Sequence, residues 1–198
     1  SYTPVPDQHG SSVIRVVVLD EGGVSDGGVD TTFQTFTVVV DPVADTPSIT
    51  SSITHEDTTS TTGLVISRNV VDDEEVSHFK ITSITNGTLY RNDAGVVAIG
   101  DGEFISYAAG STGLSFEPAP DYNGSGSFRI QASTGSGDSF LGGDEIEAEI
   151  TVISVNDEPT LAAIPAPAAI LEDAHEQTVS LSGITSGATN EVQTLSIR

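Results

Sequence analysis

Carboxylates dominate what this sequence could do chemically. Asp72-Asp73-Glu74-Glu75 places four acids in a row after an apolar stretch, Glu56-Asp57 and Glu172-Asp173 are acidic pairs, and Asp45 and Asp157 each stand two residues before a proline. Asp20, Asp26 and Asp30 lie among glycines at a spacing that matches neither an EF-hand nor a nonapeptide β-roll, and this stretch reads as a long hairpin loop. Grouped carboxylates do two kinds of work: a pair facing across a cleft serves glycoside hydrolysis, and a converging set of hard oxygens holds a cation such as calcium. Each group also has an ordinary explanation, because a charge run is usually a solvated turn and an Asp in a linker bonds to its own backbone.

The remaining chemistry is thin. His9, His55, His78 and His175 are scattered, with no pair at metal-ligand spacing, and no Gly-x-Ser-x-Gly elbow accompanies the many serines. Cysteine is absent, which removes disulfides and thiolate metal sites. Two-layer β units of this size seldom supply the cleft that paired catalytic acids need, so the chain is not expected to be an enzyme. With 29 Asp and Glu against 6 Lys and Arg the formal net charge is −23, which repels phosphate backbones and anionic membranes and attracts cations. Nucleic acid is not an expected partner. Membrane insertion is not expected in this segment either, since no apolar run approaches the roughly 20 residues of a span.

Short strands must position the acids. Ser12 to Leu19, Thr32 to Val40, Leu64 to Ile66, His78 to Ile84, Glu103 to Tyr107, Gly113 to Phe116, Ser127 to Ala132 and Ile146 to Ile153 are rich in β-branched and aromatic residues, without a capped helical stripe between them. Turn clusters such as Glu21-Gly22-Gly23 and Asp101-Gly102 separate them, and Asn86-Gly87 reads as a two-residue hairpin turn. The expected fold is an all-β sandwich, with Val16, Val18, Phe36, Val38, Phe116, Phe128, Ile130, Ile150 and Val152 pointing inward.

The pattern also repeats. Tyr2-Thr3-Pro4-Val5-Pro6-Asp7-Gln8-His9-Gly10 aligns with Phe116-Glu117-Pro118-Ala119-Pro120-Asp121-Tyr122-Asn123-Gly124, and Val43-Ala44-Asp45-Thr46-Pro47 aligns with Val155-Asn156-Asp157-Glu158-Pro159. The pairs Glu56-Asp57 and Glu172-Asp173 fall in the same frame, so three markers recur 112 to 116 residues apart. That register predicts the closing half of one sandwich repeat over 1–45, a complete repeat over 46–157 and the opening half of another over 158–198. Half repeats leave apolar faces and strand edges uncovered, to be completed by a longer chain, as the missing initial Met favours, or by head-to-tail copies.

These junction, Pro-x-Pro-Asp and Glu-Asp motifs together resemble the cadherin-like, immunoglobulin-like tandem repeats of very large bacterial surface proteins. The resemblance implies calcium held between consecutive domains, and nominates Asn156, Asp157, Glu172 and Asp173 at the second junction and Asp45, Glu56 and Asp57 at the first. Asp73, from the acidic run, is a further candidate oxygen donor, and Ala44 departs from the pattern where Asn would stand. The implied function is a structural or adhesive segment of a long extracellular protein, a calcium-stiffened rod or filament on the cell surface. Its partners would be neighbouring repeats or further copies of itself. The alternative is a carbohydrate-binding module of a secreted polysaccharide-degrading protein, for which Tyr90, Tyr107 and Tyr122 would have to form an exposed sugar-stacking strip.

Overall fold

The computed structural model describes residues 1–92 and 96–198. β1 (Gly10–Leu19) and β2 (Thr31–Val40) make a two-stranded hairpin of their own. Next come β3 (Ser48–Ile49), β4 (Ser52–His55), β5 (Ile66–Ser67), β6 (His78–Thr85), β7 (Gly87–Arg91), β8 (Val97–Ala98), β9 (Phe104–Ser106), the short helix α1 (Tyr107–Thr112), β10 (Leu114–Pro118), β11 (Gly124–Ser133) and β12 (Leu141–Ile153). The fold is all-β. A five-stranded sheet runs β4-β12-β11-β6-β9, a three-stranded sheet runs β10-β7-β8, and β3 pairs with β5.

Period-two alternation decides which side chains meet between the sheets. Phe128, Ile130 and Ala132 of β11, Ala148, Ile150 and Val152 of β12, and Phe79 and Ile81 of β6 are buried from one sheet, and Leu89 of β7 and Phe116 of β10 from the other. Val16, Val18 and Phe36, expected inside, are instead 48%, 58% and 48% exposed, and Val38 is half-buried. The reason is local: among the described residues the β1–β2 hairpin pairs only with itself, and most of its side chains on both faces are exposed.

One pairing brings distant acids to the same end of the sandwich. β4 runs parallel to β12, with Ile150 opposite Ser52 and Ile153 opposite His55, and the Glu56 N–H continues the ladder onto the Ile153 carbonyl at 2.9 Å. The residues after β4 thereby lie where the chain leaves β12. Ser52 and Thr54 point inward from β4 although polar, since their hydroxyls donate to the carbonyls of Thr62 and Thr58 at 2.7 Å each.

Two local expectations are corrected. Asn86-Gly87 is not a hairpin turn, because β6 pairs with β11 and β9 while β7 pairs with β10 and β8. The dipeptide is a corner between sheets, with Asn86 left-handed at φ 59 and Gly87 already in β7. A Cβ on Gly87 would stand 2.4 Å from both the Phe116 ring and the Glu117 carbonyl oxygen. Gly87→Ala is therefore expected to overpack this corner and cost about 1–3 kcal/mol, measurable by urea unfolding at unchanged m-value. The second correction is α1, whose N-cap Ser106 accepts from the Ala109 N–H and whose Gly110 packs under Phe79 and Ile66. A helix this short carries no apolar stripe to announce it.

Candidate metal centre

Three separate stretches deliver carboxylates to the end of the sandwich where β12 leaves it. Asp57 follows β4, Asp121 sits in the turn before β11, and Asp157 is in the linker after β12; one oxygen from each lies within 4.8 Å of the others. Asp57 and Asp121 are both left-handed, at φ 55 and 54, a conformation that Asp tolerates better than most residues. Their turns are tied together: Asp57 Oδ1 accepts the Asp121 N–H at 3.1 Å. Next door, the Tyr122 hydroxyl donates to the Ser125 carbonyl and accepts from Asn86 Nδ2, which braces the Asp121 turn.

The linker is fixed by two further acids. Glu56 is buried, accepting the Val155 N–H and, at 2.6 Å, Asn190 Nδ2, which also donates to Asn123 Oδ1 at 3.0 Å. Glu191 Oε1 accepts the Asp157 N–H at 3.1 Å. Gly187, at φ 110, lets this turn close on the linker: a Cβ there would lie 2.7 Å from Asp157 Cβ and from the Glu158 carbonyl oxygen.

Partial burial, together with the charges of Asp121, Glu191, Asp57 and Glu56, holds the Asp157 carboxyl above the ordinary aspartate range. No Lys or Arg relieves this crowding among the described residues, whose ion pairs join Lys80 to Asp138, Arg129 to Glu145 and Glu147, and His9 to Glu75. Asp157 Oδ2 and Glu191 Oε2 are buried without a hydrogen-bond partner. Hard oxygens, converging and short of protons and cations, are a donor set that fits calcium.

The nominated residues divide. Asp57 and Asp157 meet, and Glu56 lies beside them, so Glu56 and Asp57 belong with the second junction and not the first; the parallel β4–β12 pair carries them there. Glu172 and Asp173 are exposed in the 170–174 stretch, outside this group. Asn156 is engaged elsewhere, its Oδ1 accepting from Gln193 Nε2 at 2.8 Å. At the first junction the Asp45 N–H donates to both oxygens of Asp72, at 3.2 and 3.1 Å, while Asp73 is exposed. Burial, then the charges of Asp45 and Glu75, raise the Asp72 carboxyl above its usual range. Sequence reasoning missed Asp121 and Glu191 as donors. The signal for Asp121 is the recurring Pro-x-Pro-Asp motif; for Glu191 there is none beyond its charge.

The tyrosines do not make a strip. Tyr107 lies under the Arg68 guanidinium and beside Phe79, Tyr90 donates to Glu117 at 2.6 Å, and Tyr122 is committed to bracing the Asp121 turn.

No protein-family model matches the chain, and no curated protein does. Among solved structures the chain is similar to the surface layer protein SbsC, domains 1–6, at 14% identity and a TM-score of 0.36, over 78% of this chain. The match spans 18% of that chain's length.

Proposed function

We propose that this chain is a structural, adhesive segment of a long extracellular protein on a bacterial cell surface, in which calcium stiffens the exit from the β-sandwich. The observation that carries this reading is the convergence of Asp57, Asp121 and Asp157 from three distant stretches, where one oxygen of Asp157 itself and one of the adjacent Glu191 are buried without a partner. Calcium would be held by those three carboxylates, with Glu191 and Glu56 as the nearest further donors. It would supply the counter-charge that the group lacks and tie the sandwich to the linker. The chain's own residues contribute the rest: Glu56 and Glu191 hold the Val155 and Asp157 N–H groups, so little of the linker remains to be ordered on binding. Many such fixed joints in series make a rod.

Binding only to the folded state adds stability by mass action, about 2.7 kcal/mol at a hundredfold excess over Kd. Calcium is therefore expected to raise the melting temperature and sharpen the small-angle scattering profile of the 198-residue chain, and chelator to reverse both. Asp157→Asn, isosteric but uncharged, is expected to reduce the calcium shift. Identical melting and scattering with calcium and with chelator would overturn the reading.

A further inference from the structure

The chain enters and leaves the sandwich at opposite ends of β12. At the start of that strand Gly142 and Gly143 meet the incoming chain backbone to backbone: a Cβ on Gly142 would lie 2.2 Å from the Ala44 carbonyl oxygen, and one on Gly143 2.3 Å from the Thr46 nitrogen. Thr46 is fastened there by two bonds, its Oγ1 accepting the Asp144 N–H at 2.8 Å and its carbonyl accepting from Asn69 Nδ2 at 3.0 Å. At the far end the chain leaves β12 after Ile153 and is caught by Glu56, which accepts the Val155 N–H. Between entry and exit lies one strand of 13 residues, about 40 Å long. Tension applied from the two sides of 46–157 therefore runs along β12.

The pairing of β4 decides how the sandwich meets that tension. From the entry the chain passes only the two-residue β3–β5 pair before it reaches β4. β4 is parallel to β12, with Ser52 opposite Ile150 and His55 opposite Ile153, and the Glu56 N–H continues the ladder onto the Ile153 carbonyl. Pulling one strand of a parallel pair from its N-terminal end and the other from its C-terminal end slides the two past each other. All the ladder bonds are then loaded together, whereas a pair pulled apart from one end opens bond by bond. The inner side of β4 is also shielded: Ser52, Thr54 and Glu56 are buried, so water, which competes for a stretched hydrogen bond, does not reach them from that side.

The geometry points to a mechanical function: residues 46–157 form a shear clamp that carries tension along the chain, with the β4–β12 pair as the element that resists. This goes beyond stiffness, which fixes the angle at a joint and not the force a sandwich withstands. The inference rests on the proposed surface role only for the source of the pull. The convergent carboxylates bear on the same clamp, because Asp57 follows β4 and Asp157 follows β12; a cation held between them ties the ends of the two sliding strands.

Single-molecule force spectroscopy of the 198-residue chain in two pulling directions tests it. The chain has no cysteine, so introduced ones serve as unique handles. In one arm the handles are attached at Ser1 and Arg198, which puts β4 and β12 in shear. In the other they are attached at Thr59→Cys and Ser154→Cys, two exposed positions just past the same end of the β4–β12 pair, and the force peels the pair from Glu56 onward. In chelator and at equal loading rate, the rupture force is expected to be several-fold higher from the termini than across the pair, since forced unfolding reads the unfolding rate along the direction pulled. Calcium is expected to raise the force from the termini further. Equal forces in the two directions, or extension from the termini without a force peak for 46–157, overturn the inference whatever calcium does. A directional difference that persists while calcium changes nothing upholds the clamp and counts against the calcium reading of the Asp157 group instead.

Discussion

Phe128→Ala is expected to destabilise the protein by about 3–5 kcal/mol, the range for deleting a buried aromatic ring and leaving a cavity. Phe128 is fully buried in the middle of β11, opposite the small Ala148, with Ile130 two residues along on the same face. Neighbours anchored in two ladders cannot collapse into the space, because β11 is paired on one side to β12 and on the other to β6. Phe36→Ala provides the contrast. It removes the same ring from the counterpart hairpin, where Phe36 is 48% exposed, and is expected to cost under about 1 kcal/mol. Chemical unfolding of both variants reads the difference directly. Equal losses would mean that the hairpin is covered in solution as thoroughly as β11 is.

That contrast also marks how far the sequence can be read. Alternation identifies β6, β11 and β12 because each is long enough to show several periods with apolar residues inward. β4 escapes for a physical reason: its inward residues are Ser52 and Thr54, whose hydroxyls find carbonyl acceptors in the next loop, so the strand has no apolar face to show. Since β4 positions Glu56 and Asp57, missing it sends both to the wrong junction. Their partners in the linker, Val155 and Asp157, lie about a hundred residues away across a parallel pair, and no local spacing reports such a contact. Asp157 is legible because the linker motif isolates it, whereas Asp121 shows only as part of a recurring turn. Asn86-Gly87 carries the residue types of a hairpin and takes the positive φ those types allow, but the strands on either side belong to different sheets. Turn chemistry states that the chain bends and not which strand it meets.

Glu56 should be the residue on which the linker's rigidity most depends. Its carboxylate is buried at 2% exposure and accepts from two donors, the Val155 N–H and Asn190 Nδ2. Glu56→Ala would leave the Val155 N–H, formerly in a charge-assisted bond, without its acceptor, an expected loss of about 2–3 kcal/mol. Part of this is returned in chelator, because Glu56 is also one of the negative charges crowding Asp157. The loss should therefore be larger in calcium than without it. Glu56→Gln separates the two effects. A Gln carbonyl can still accept from Val155, but its amide then presents N–H groups to the Asn190 amide, donor against donor, unless Asn190 turns over and gives up Asn123 Oδ1. Pairing Glu56→Gln with Asn190→Asp moves the negative charge across the same hydrogen bond and restores donor to acceptor. The double variant is expected to recover most of the stability that the single Gln variant loses, with a coupling of about 1 kcal/mol or more in a double-mutant cycle. Amide exchange at Val155 and Asp157 gives the local readout: fast in Glu56→Ala, slowed again in the double variant. Additive effects of the two substitutions, with unchanged protection at Val155, would show that the Glu56 carboxylate does not hold the linker.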